Sequence, residues 1–180
     1  QNGFSDIFIA NVVVTPTKIV RLCALAKQAK ITVAVDNPGN ITDLSEASLS
    51  SDVSLHVVVD INARLGCYGV PPGLPAVDLA MAINDVSGLE FAGLMTYEGA
   101  IICDSSEDIV TESRKCIQRV LDTRQMIEAV GLEVEVVSAG GTYNYEIASD
   151  MSGVTEVPAG SYALMDQRCR EQLSQFVPAA

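Results

Sequence analysis

Short apolar runs alternate with longer amphipathic segments along most of the chain. The runs are nearly continuous in Val, Ile, Leu and Ala, which is typical of strands in a parallel sheet that is covered on both faces. They predict six strands, at 6–10, 31–35, 55–59, 89–95, 134–138 and 154–157.

The segments between these runs predict helices. One opens at Thr15-Pro16, where a proline fits the first helical turn, and it carries Ile19, Leu22 and Cys23 on an apolar face. Further helices are expected at 41–48, at 77–86, from 105 to about 130, at 145–147 and in the tail from 166. Strands and helices that alternate in this way indicate a parallel α/β architecture.

Polar or glycine residues collect where the predicted strands end, namely at Asp36, Asp60, Tyr97, Ser138 and Gly160. The carboxyl ends of parallel strands form the active face of a (β/α)8 barrel and of an open doubly wound sheet alike. Six strands do not complete a barrel of eight, so the pattern leaves an open sheet or part of a barrel. The chain starts directly before a strand and stops where another element could begin, which favours part of a barrel.

Two glycine-bearing turns follow the last two predicted strands. The first, residues 138–142, contains Gly140 and Gly141, and its Thr142 offers a hydroxyl group and a cap for the next helix. The second, residues 157–162, contains Gly160 and Ser161. Either turn alone is compatible with an ordinary strand-to-helix connection. Together they predict one shared phosphate site, because N–H groups at a helix N-terminus suit a phosphate.

Length, composition and net charge limit the kinds of protein and partner that fit this sequence. The 180 residues suit a single domain, and with 48% hydrophobic and 19% charged residues the chain is expected to be globular. The net charge of -12 argues against a nucleic-acid or anionic-membrane partner, which would need a basic surface. No apolar run is long enough to span a bilayer, and no signal peptide is recognisable at the start.

The five cysteines are widely spread and show no CxxC spacing. They predict reduced thiols and a cytoplasmic protein rather than a disulfide framework, with Cys23 buried on its helix. His56, the only histidine, lies inside an apolar strand, so a structural sheet histidine is the favoured interpretation. His and Cys therefore assemble no metal site, although a weak magnesium site from Asp36, Asp60 and Glu98 stays open.

Several common catalytic arrangements are missing from the sequence. None of the lysines, Lys18, Lys27, Lys30 and Lys115, is expected at the carboxyl end of a strand, so none suits a Schiff base. The sequence also contains neither a GxSxG turn nor a GxxxxGK[ST] loop.

Residues 136–142 and 153–166 closely resemble one family of enzymes. It is the pyridoxal-phosphate family that includes D-threonine aldolase, 3-hydroxy-D-aspartate aldolase and eukaryotic-type D-serine dehydratase. Residues 33–36 and 93–99 are similar to the same family, so the resemblance covers nearly the whole chain. Its most specific part is the Gly-Gly-Thr turn, followed by Ala-Gly-Ser-Tyr and Met-Asp.

The resemblance implies an alanine-racemase-type barrel followed by a β-rich C-terminal domain. Residues 1–180 would be a single incomplete domain, a partial (β/α)8 barrel with about six βα units that correspond to strands three to eight. The N-terminal strands and the C-terminal domain would lie outside the chain. The two glycine turns would then follow strands seven and eight, where such barrels bind phosphate.

The same resemblance implies the site and its chemistry. Thr142, Gly160 and Ser161 would contact the phosphate of pyridoxal 5'-phosphate, and Gly140 and Gly141 would shape the loop. The cofactor would act as an electron sink. The expected reaction cleaves 3-hydroxy-D-amino acids to glycine and an aldehyde or oxoacid. A divalent metal and a homodimer are expected only for the full-length protein. A D-serine dehydratase-like lyase and a diverged, non-catalytic cofactor-binding copy are the alternatives.

The sequence departs from the family pattern in several places. The family's Schiff-base lysine would lie before Gln1, and its metal ligands would lie after Ala180, so no catalytic residue is expected in this chain and the chain alone is expected to be inactive. Cys67 stands where the family carries an arginine, Ala100 where it carries a histidine, and Cys169 where it carries a tyrosine.

Overall fold

The computed structural model of the protein describes residues 3–63, 68–98, 106–160 and 163. Within these ranges, strands and helices follow one another in strict alternation. The strands are β1 (Asp6–Val12), β2 (Lys30–Val35), β3 (Leu55–Asp60), β4 (Leu89–Met95) and β5 (Val136–Ser138). The helices are α1 (Pro16–Ala26), α2 (Pro38–Ser51), α3 (Leu74–Asn84), α4 (Ser106–Ala129) and α5 (Tyr145–Ser149).

The five strands form one parallel sheet in the order β1-β2-β3-β4-β5. A doubly wound sheet reverses its strand order at a switch point, whereas a barrel keeps neighbours in sequence as neighbours in space. The observed order therefore selects the barrel from the two architectures that the sequence left open. The sheet curls into half of a barrel, with the helices on its outside.

The sixth predicted strand, 154–157, is reduced to a single parallel bridge between Glu156 and Ser138. The Thr155 hydroxyl accepts the Val137 N–H at 2.9 Å, in the place of a backbone carbonyl. This side-chain bond interrupts a regular ladder, so the segment lies beside β5 without forming an extended strand.

Local signals place the helix starts slightly earlier than the periodicity predicts. Helix α2 begins at Pro38 rather than at 41, because the Asn37 side chain caps it by accepting the Asn40 N–H at 2.9 Å. Helix α3 begins at Leu74, directly after Gly73, whose φ of 88° suits glycine.

The two faces of the sheet carry two different hydrophobic clusters. The larger one lies between sheet and helices and includes Val33 and Val57 of the central strands. The alternate residues, Ala34 and Val58, face the inside of the half-barrel with Met95. Full burial of these positions confirms that the central strands are covered on both faces.

Further observations bear on the sequence predictions. Cys23 is fully buried on α1, as predicted. Among the helices in the described ranges, none combines the length and the hydrophobicity that crossing a bilayer requires.

Candidate functional site

The carboxyl ends of the strands bring the predicted polar residues to one edge of the sheet. Asp36 follows β2, Asp60 ends β3, Glu98 lies three residues beyond β4, and Ser138 ends β5. The parallel register confirms that this edge gathers side chains from four successive strands.

The first glycine turn, residues 138–142, packs tightly between β5 and α5. Gly140 has a φ of 85°, and a β-carbon on it would lie 2.6 Å from the Ala148 Cβ of α5. Gly141 is also buried, and Thr142 is 3% exposed. Gly140 is therefore required both by the backbone conformation and by the close approach of the helix.

The helix after this turn is capped differently from the expectation. Helix α5 has Asn144, not Thr142, at its N-cap, and the Asn144 side chain makes no cap hydrogen bond. The expected capping role of Thr142 is wrong, because residues 141–144 form a further turn in which the Asn144 N–H bonds to the Gly141 carbonyl at 3.3 Å.

The Asn144 side chain instead joins a buried polar network. Its Nδ2 donates to Glu98 Oε1 at 3.0 Å and to Ser113 Oγ of α4 at 3.3 Å. Glu98, which is 1% exposed, thereby connects the end of β4 to α4 and to the start of α5. Buried atoms without a hydrogen-bond partner include Glu98 Oε2 and Asn144 Oδ1 of this network, and Ser138 Oγ at the end of β5.

Opposing effects act on the Glu98 carboxyl group. Burial raises its pKa, since a charged carboxylate is poorly solvated there. The nearby backbone N–H groups of Glu98 and Gly140, and the hydrogen bond from the Asn144 side chain, lower the pKa and so act in the opposite direction.

A second buried acid lies one strand away. Asp60 is 4% exposed, and its pKa is raised to about 6, first by burial and then by the charge of Asp36. Asp36 accepts the Asn37 side-chain amide at 3.0 Å and the Gly69 N–H at 3.4 Å. A small crevice opens beside Asp60, lined by Ile61, Asn62, Ala63, Tyr68 and Tyr97.

Helix α4 holds the loop after β3 at both ends. Arg119 donates to the Ala63 carbonyl at 3.0 Å, and the Cys116 thiol approaches the same oxygen at 3.8 Å. The Gly73 N–H bonds to Thr123 Oγ1 at 2.9 Å. With Ser113, these side chains form one stripe along the helix, called here the α4 stripe: Ser113, Cys116, Arg119 and Thr123.

The remaining candidates lie elsewhere. His56 pairs in register with Glu90 near the opposite, amino end of the strands, with 3.5 Å between Nδ1 and Oε2, and it takes no part in the site. Gly160 is exposed, and a β-carbon on it would meet nothing within 4 Å. Ser161, and the positions of departure Cys67, Ala100 and Cys169, lie outside the described residues. The shared phosphate site of the two turns therefore stays a prediction.

The magnesium alternative gains no support. Among the described residues, no group of three or more His, Cys, Asp or Glu side chains is placed to hold a metal ion. Asp36 does lie close enough to Asp60 to raise the pKa of Asp60, but Glu98 is engaged with Asn144.

Sequence reasoning missed Asn144 and Ser113. An asparagine directly before a short helix indicates a cap, so its actual role was hidden. Ser113 did carry a signal, because it is a polar residue on the apolar face of α4 with Cys116 and Val120. A buried serine on such a face requires a hydrogen-bond partner.

Comparison with known protein families identifies one that matches most of the chain. Residues 6–168 match the family model described as alanine racemase, N-terminal domain. The chain belongs to this family. The match runs from the first strand past the second glycine turn, so it contains the whole described sheet edge.

Curated relatives of the alanine-racemase-like chain carry aldolase names. A 3-hydroxy-D-aspartate aldolase of Paracoccus denitrificans (strain Pd 1222) is 37% identical over 168 residues, which cover 92% of this chain and 43% of the relative. A D-threonine aldolase of Arthrobacter sp is 33% identical, over 91% of this chain and 44% of its own length. The chain thus spans less than half the length of the curated relatives it matches.

Solved structures agree on the architecture. The D-threonine aldolase from Filomicrobium marinum superposes with a TM-score of 0.88 at 32% identity, over 99% of this chain and 47% of that one. A D-threo-3-hydroxyaspartate dehydratase superposes with a TM-score of 0.82 at 23% identity, over 95% of this chain and 46% of that one, which shows a common fold.

Proposed function

We propose that this half-barrel supplies the phosphate side of a pyridoxal-phosphate site in an aldolase. The enzyme would cleave 3-hydroxy-D-amino acids, of the D-threonine or 3-hydroxy-D-aspartate type, to glycine and an aldehyde or oxoacid. The observation that carries the proposal is the buried glycine turn at the carboxyl end of β5, in a chain whose curated relatives at 33% and 37% identity are named for these reactions.

The residues of the glycine turn fit a phosphate group. Ser138 Oγ is a buried polar atom without a partner at the start of the turn, which is a place where a ligand oxygen can be accommodated. Thr142 and Gly141 bring a hydroxyl group and backbone N–H groups of the kind that bind phosphate. Gly160 and Ser161 of the second turn are proposed as further contacts, with Gly140 shaping the loop.

Pyridoxal phosphate, when bound, withdraws electrons from the bond that breaks in the substrate. The residues of this chain hold and orient the phosphate, so that the cofactor keeps a fixed position relative to the sheet edge. Their contribution is positional, which agrees with the lack of a suitably placed lysine.

We also propose that the catalytic lysine and the metal ligands belong to parts of the protein beyond these 180 residues. Lys18 and Lys115 lie on outer helices, Lys27 caps the end of α1, and Lys30 opens β2 at its amino end. None lies at the carboxyl ends of the strands. These 180 residues would then form one incomplete barrel domain, able to bind the cofactor and unable to catalyse.

The natural setting follows from the same proposal. The thiols of Cys23 and Cys116 are buried and form no disulfide, which suits a reducing cytoplasm. A homodimer with the D-amino acid as its small-molecule substrate is proposed for the longer protein.

The test has a binding arm and a product arm. Titration of the chain with pyridoxal phosphate, followed by cofactor fluorescence, is expected to saturate. Thr142→Ala is expected to weaken binding about tenfold, because a hydrogen bond to a charged group is lost. Thr17→Ala, at an exposed threonine on α1, is the matched control and should bind like the unchanged chain.

The product arm uses the longer protein with a 3-hydroxy-D-amino acid. Glycine and the matching aldehyde or oxoacid support the aldolase. Release of ammonia with the oxoacid of the substrate indicates the dehydratase alternative instead. If the unchanged chain does not bind the cofactor at all, the proposal fails and a diverged copy is the better description.

A further inference from the structure

We propose that Arg124 of α4 is a positioning residue that keeps the two glycine turns side by side. It would do so by holding the Gly153 carbonyl in residues 150–156, called here the 150–156 connection, which lead from α5 to the second turn. The proposal rests on the proposed function, because that function makes the two turns share one phosphate. Arg124 acts through the connection and not by contact with the phosphate.

The starts of the two turns are joined in the structure. Ser138, which opens the first turn, forms a parallel bridge with Glu156, which directly precedes the second turn. The Ala139 N–H donates to the Glu156 carbonyl at 3.2 Å, and the Thr155 N–H donates to the Val137 carbonyl at 3.0 Å. The position of the second turn relative to the first therefore depends on the segment that leads into Glu156.

That segment contacts α4 at Gly153. The Gly153 carbonyl accepts a hydrogen bond from Arg124 Nη1 at 3.2 Å. A β-carbon on Gly153 would lie 2.9 Å from Leu121 Cδ2, and the φ of 104° is one that favours glycine, so the backbone lies directly against the helix here. The connection is thus fixed to α4 by a hydrogen bond and a close packing contact, only three residues before Glu156.

Arg124 is itself held in place. Its Nε donates to Glu128 Oε1, one helical turn further along α4, at 2.8 Å, and its side chain is only 28% exposed. A guanidinium group donates in more than one direction at once, so the bond to Glu128 leaves Nη1 available for the Gly153 carbonyl. Because the donor is charged, the bond to Gly153 is stronger than one between neutral groups.

A second arginine of α4 also contacts the connection. Arg114 pairs with Asp150 at 2.8 Å, but the two side chains are 47% and 70% exposed. Exposed ion pairs contribute little, because water and salt screen them. Asp150 also lies at the end of α5, further along the chain from Glu156 than Gly153. The contact of Arg124 is therefore the one that fixes the approach to the second turn.

The test compares matched variants of the 180-residue chain. Arg124→Met keeps a long side chain and removes the donors, and Arg21→Met makes the same change at an exposed arginine on α1. Amide hydrogen exchange at Ala139 reports the junction of the two turns without any ligand. Titrations with pyridoxal phosphate and with pyridoxal, which lacks the phosphate, report how much the phosphate contributes to affinity.

Arg124→Met is expected to speed exchange at Ala139 about fivefold, because loss of a charge-assisted hydrogen bond loosens the connection. Exchange at Val58 in β3 should stay unchanged. Affinity for pyridoxal phosphate should fall about fivefold, whereas affinity for pyridoxal should change by less than about twofold. A general loss of folded protein would lower both affinities together, so their ratio separates positioning from stability. Arg21→Met should match the unchanged chain in every measurement.

A second pair of variants changes the same contact without removing a charge. Gly153→Ala places a β-carbon against Leu121 and displaces the connection, so it is expected to speed Ala139 exchange and to lower the affinity for pyridoxal phosphate relative to pyridoxal. Gly131→Ala, at a φ of 91° with open space around it, introduces backbone strain alone and should leave the ratio unchanged. This pair decides the question if Arg124→Met does not fold.

Unchanged Ala139 exchange in Arg124→Met overturns the proposal, and so does an unchanged ratio of the two affinities. Failure of the proposed function is recognised separately, as lack of pyridoxal phosphate binding by the unchanged chain. Exchange at Ala139 then decides by itself whether Arg124 holds the two turns together.

Discussion

Two buried carboxyl groups at the same edge of the sheet have opposite surroundings. Asp60 ends β3 and is influenced by a second acid, Asp36, whereas Glu98 follows β4 and meets hydrogen-bond donors. Burial raises the pKa of both. Burial alone therefore does not determine what a carboxyl group does. The charge of Asp36 adds to the effect of burial and brings the pKa of Asp60 to about 6. The hydrogen bond from Asn144 instead fixes the Glu98 side chain beside the glycine turn.

The largest expected effect comes from adding a β-carbon to the glycine turn that lies beside Glu98. Gly140→Ala is expected to lower the free energy of unfolding by about 4 kcal/mol, because the new β-carbon meets Ala148 and the φ of 85° is unfavourable for alanine. Urea denaturation measures this loss. Gly160→Ala, which has open space for a β-carbon, should change stability by less than about 0.5 kcal/mol. Equal stabilities of the two variants would show that the turn is not packed as described.

Asp60→Asn tests the other half of the comparison. The pKa of Asp60 in the folded protein is about 6, above its ordinary value of 3.8, so the folded state holds this proton more tightly. Stability from this group is therefore full below about pH 4 and is lost as the pH rises to about 6, by about 3 kcal/mol in total. Asp60→Asn should remove this loss.

The measurement for Asp60 is the difference in unfolding free energy between variant and unchanged chain from pH 4 to pH 7. Thr17→Ala, at an exposed threonine on α1, removes no titratable group and should show a flat difference. A flat difference for Asp60→Asn as well would mean that the pKa of Asp60 is not raised in the folded protein.

Asn144→Ala would make Glu98 more like Asp60. It removes a donor from a buried carboxyl group, so we expect a loss of about 2 kcal/mol in unfolding free energy and a further rise in the pKa of Glu98. Thermal unfolding and a carbon-13 carboxyl titration measure the two quantities. Asn84→Ala, at the exposed end of α3, should leave both unchanged.

The smallest effect is expected from Asp36→Asn. It removes the charge that acts on Asp60, so the pKa of Asp60 should fall toward its ordinary value, with burial still keeping it raised. The matching change in stability at pH 7 is a gain of about 1 kcal/mol or less. A pKa of Asp60 that does not move in the carboxyl titration would assign the whole shift to burial.

The order of elements and the polar sheet edge were predictable from the sequence, because both depend on local patterns. Apolar runs mark strands, and the residue after each run lies at a strand end. The prediction of 89–95 as a strand agrees with β4 throughout. The glycine turns resemble those of one enzyme family closely enough to identify the family of the chain.

Contacts between residues that are distant in the sequence could not be predicted from local patterns. Glu98 and Asn144 are 46 residues apart, and nothing near either of them specifies the other. For the same reason the sequence predicts Thr142 as the N-cap of α5, whereas the structure has Asn144 there. The sequence around Thr155 likewise does not indicate that its hydroxyl accepts a hydrogen bond in place of a backbone carbonyl. The sequence supplied the parts of the site, while their pairing required the fold.

The α4 stripe has a consequence for chimeras between family members. One face of one helix fixes the loop after β3, through Ala63 and Gly73, and also Asn144 beside the glycine turn. A loop transplanted from a relative would therefore lack the side chains that hold it in place, unless the residues of the α4 stripe were transplanted with it. The loop after β3 and helix α4 should therefore be exchanged together. The segments to exchange follow from the contacts between loop and helix, not from the ends of the loop alone.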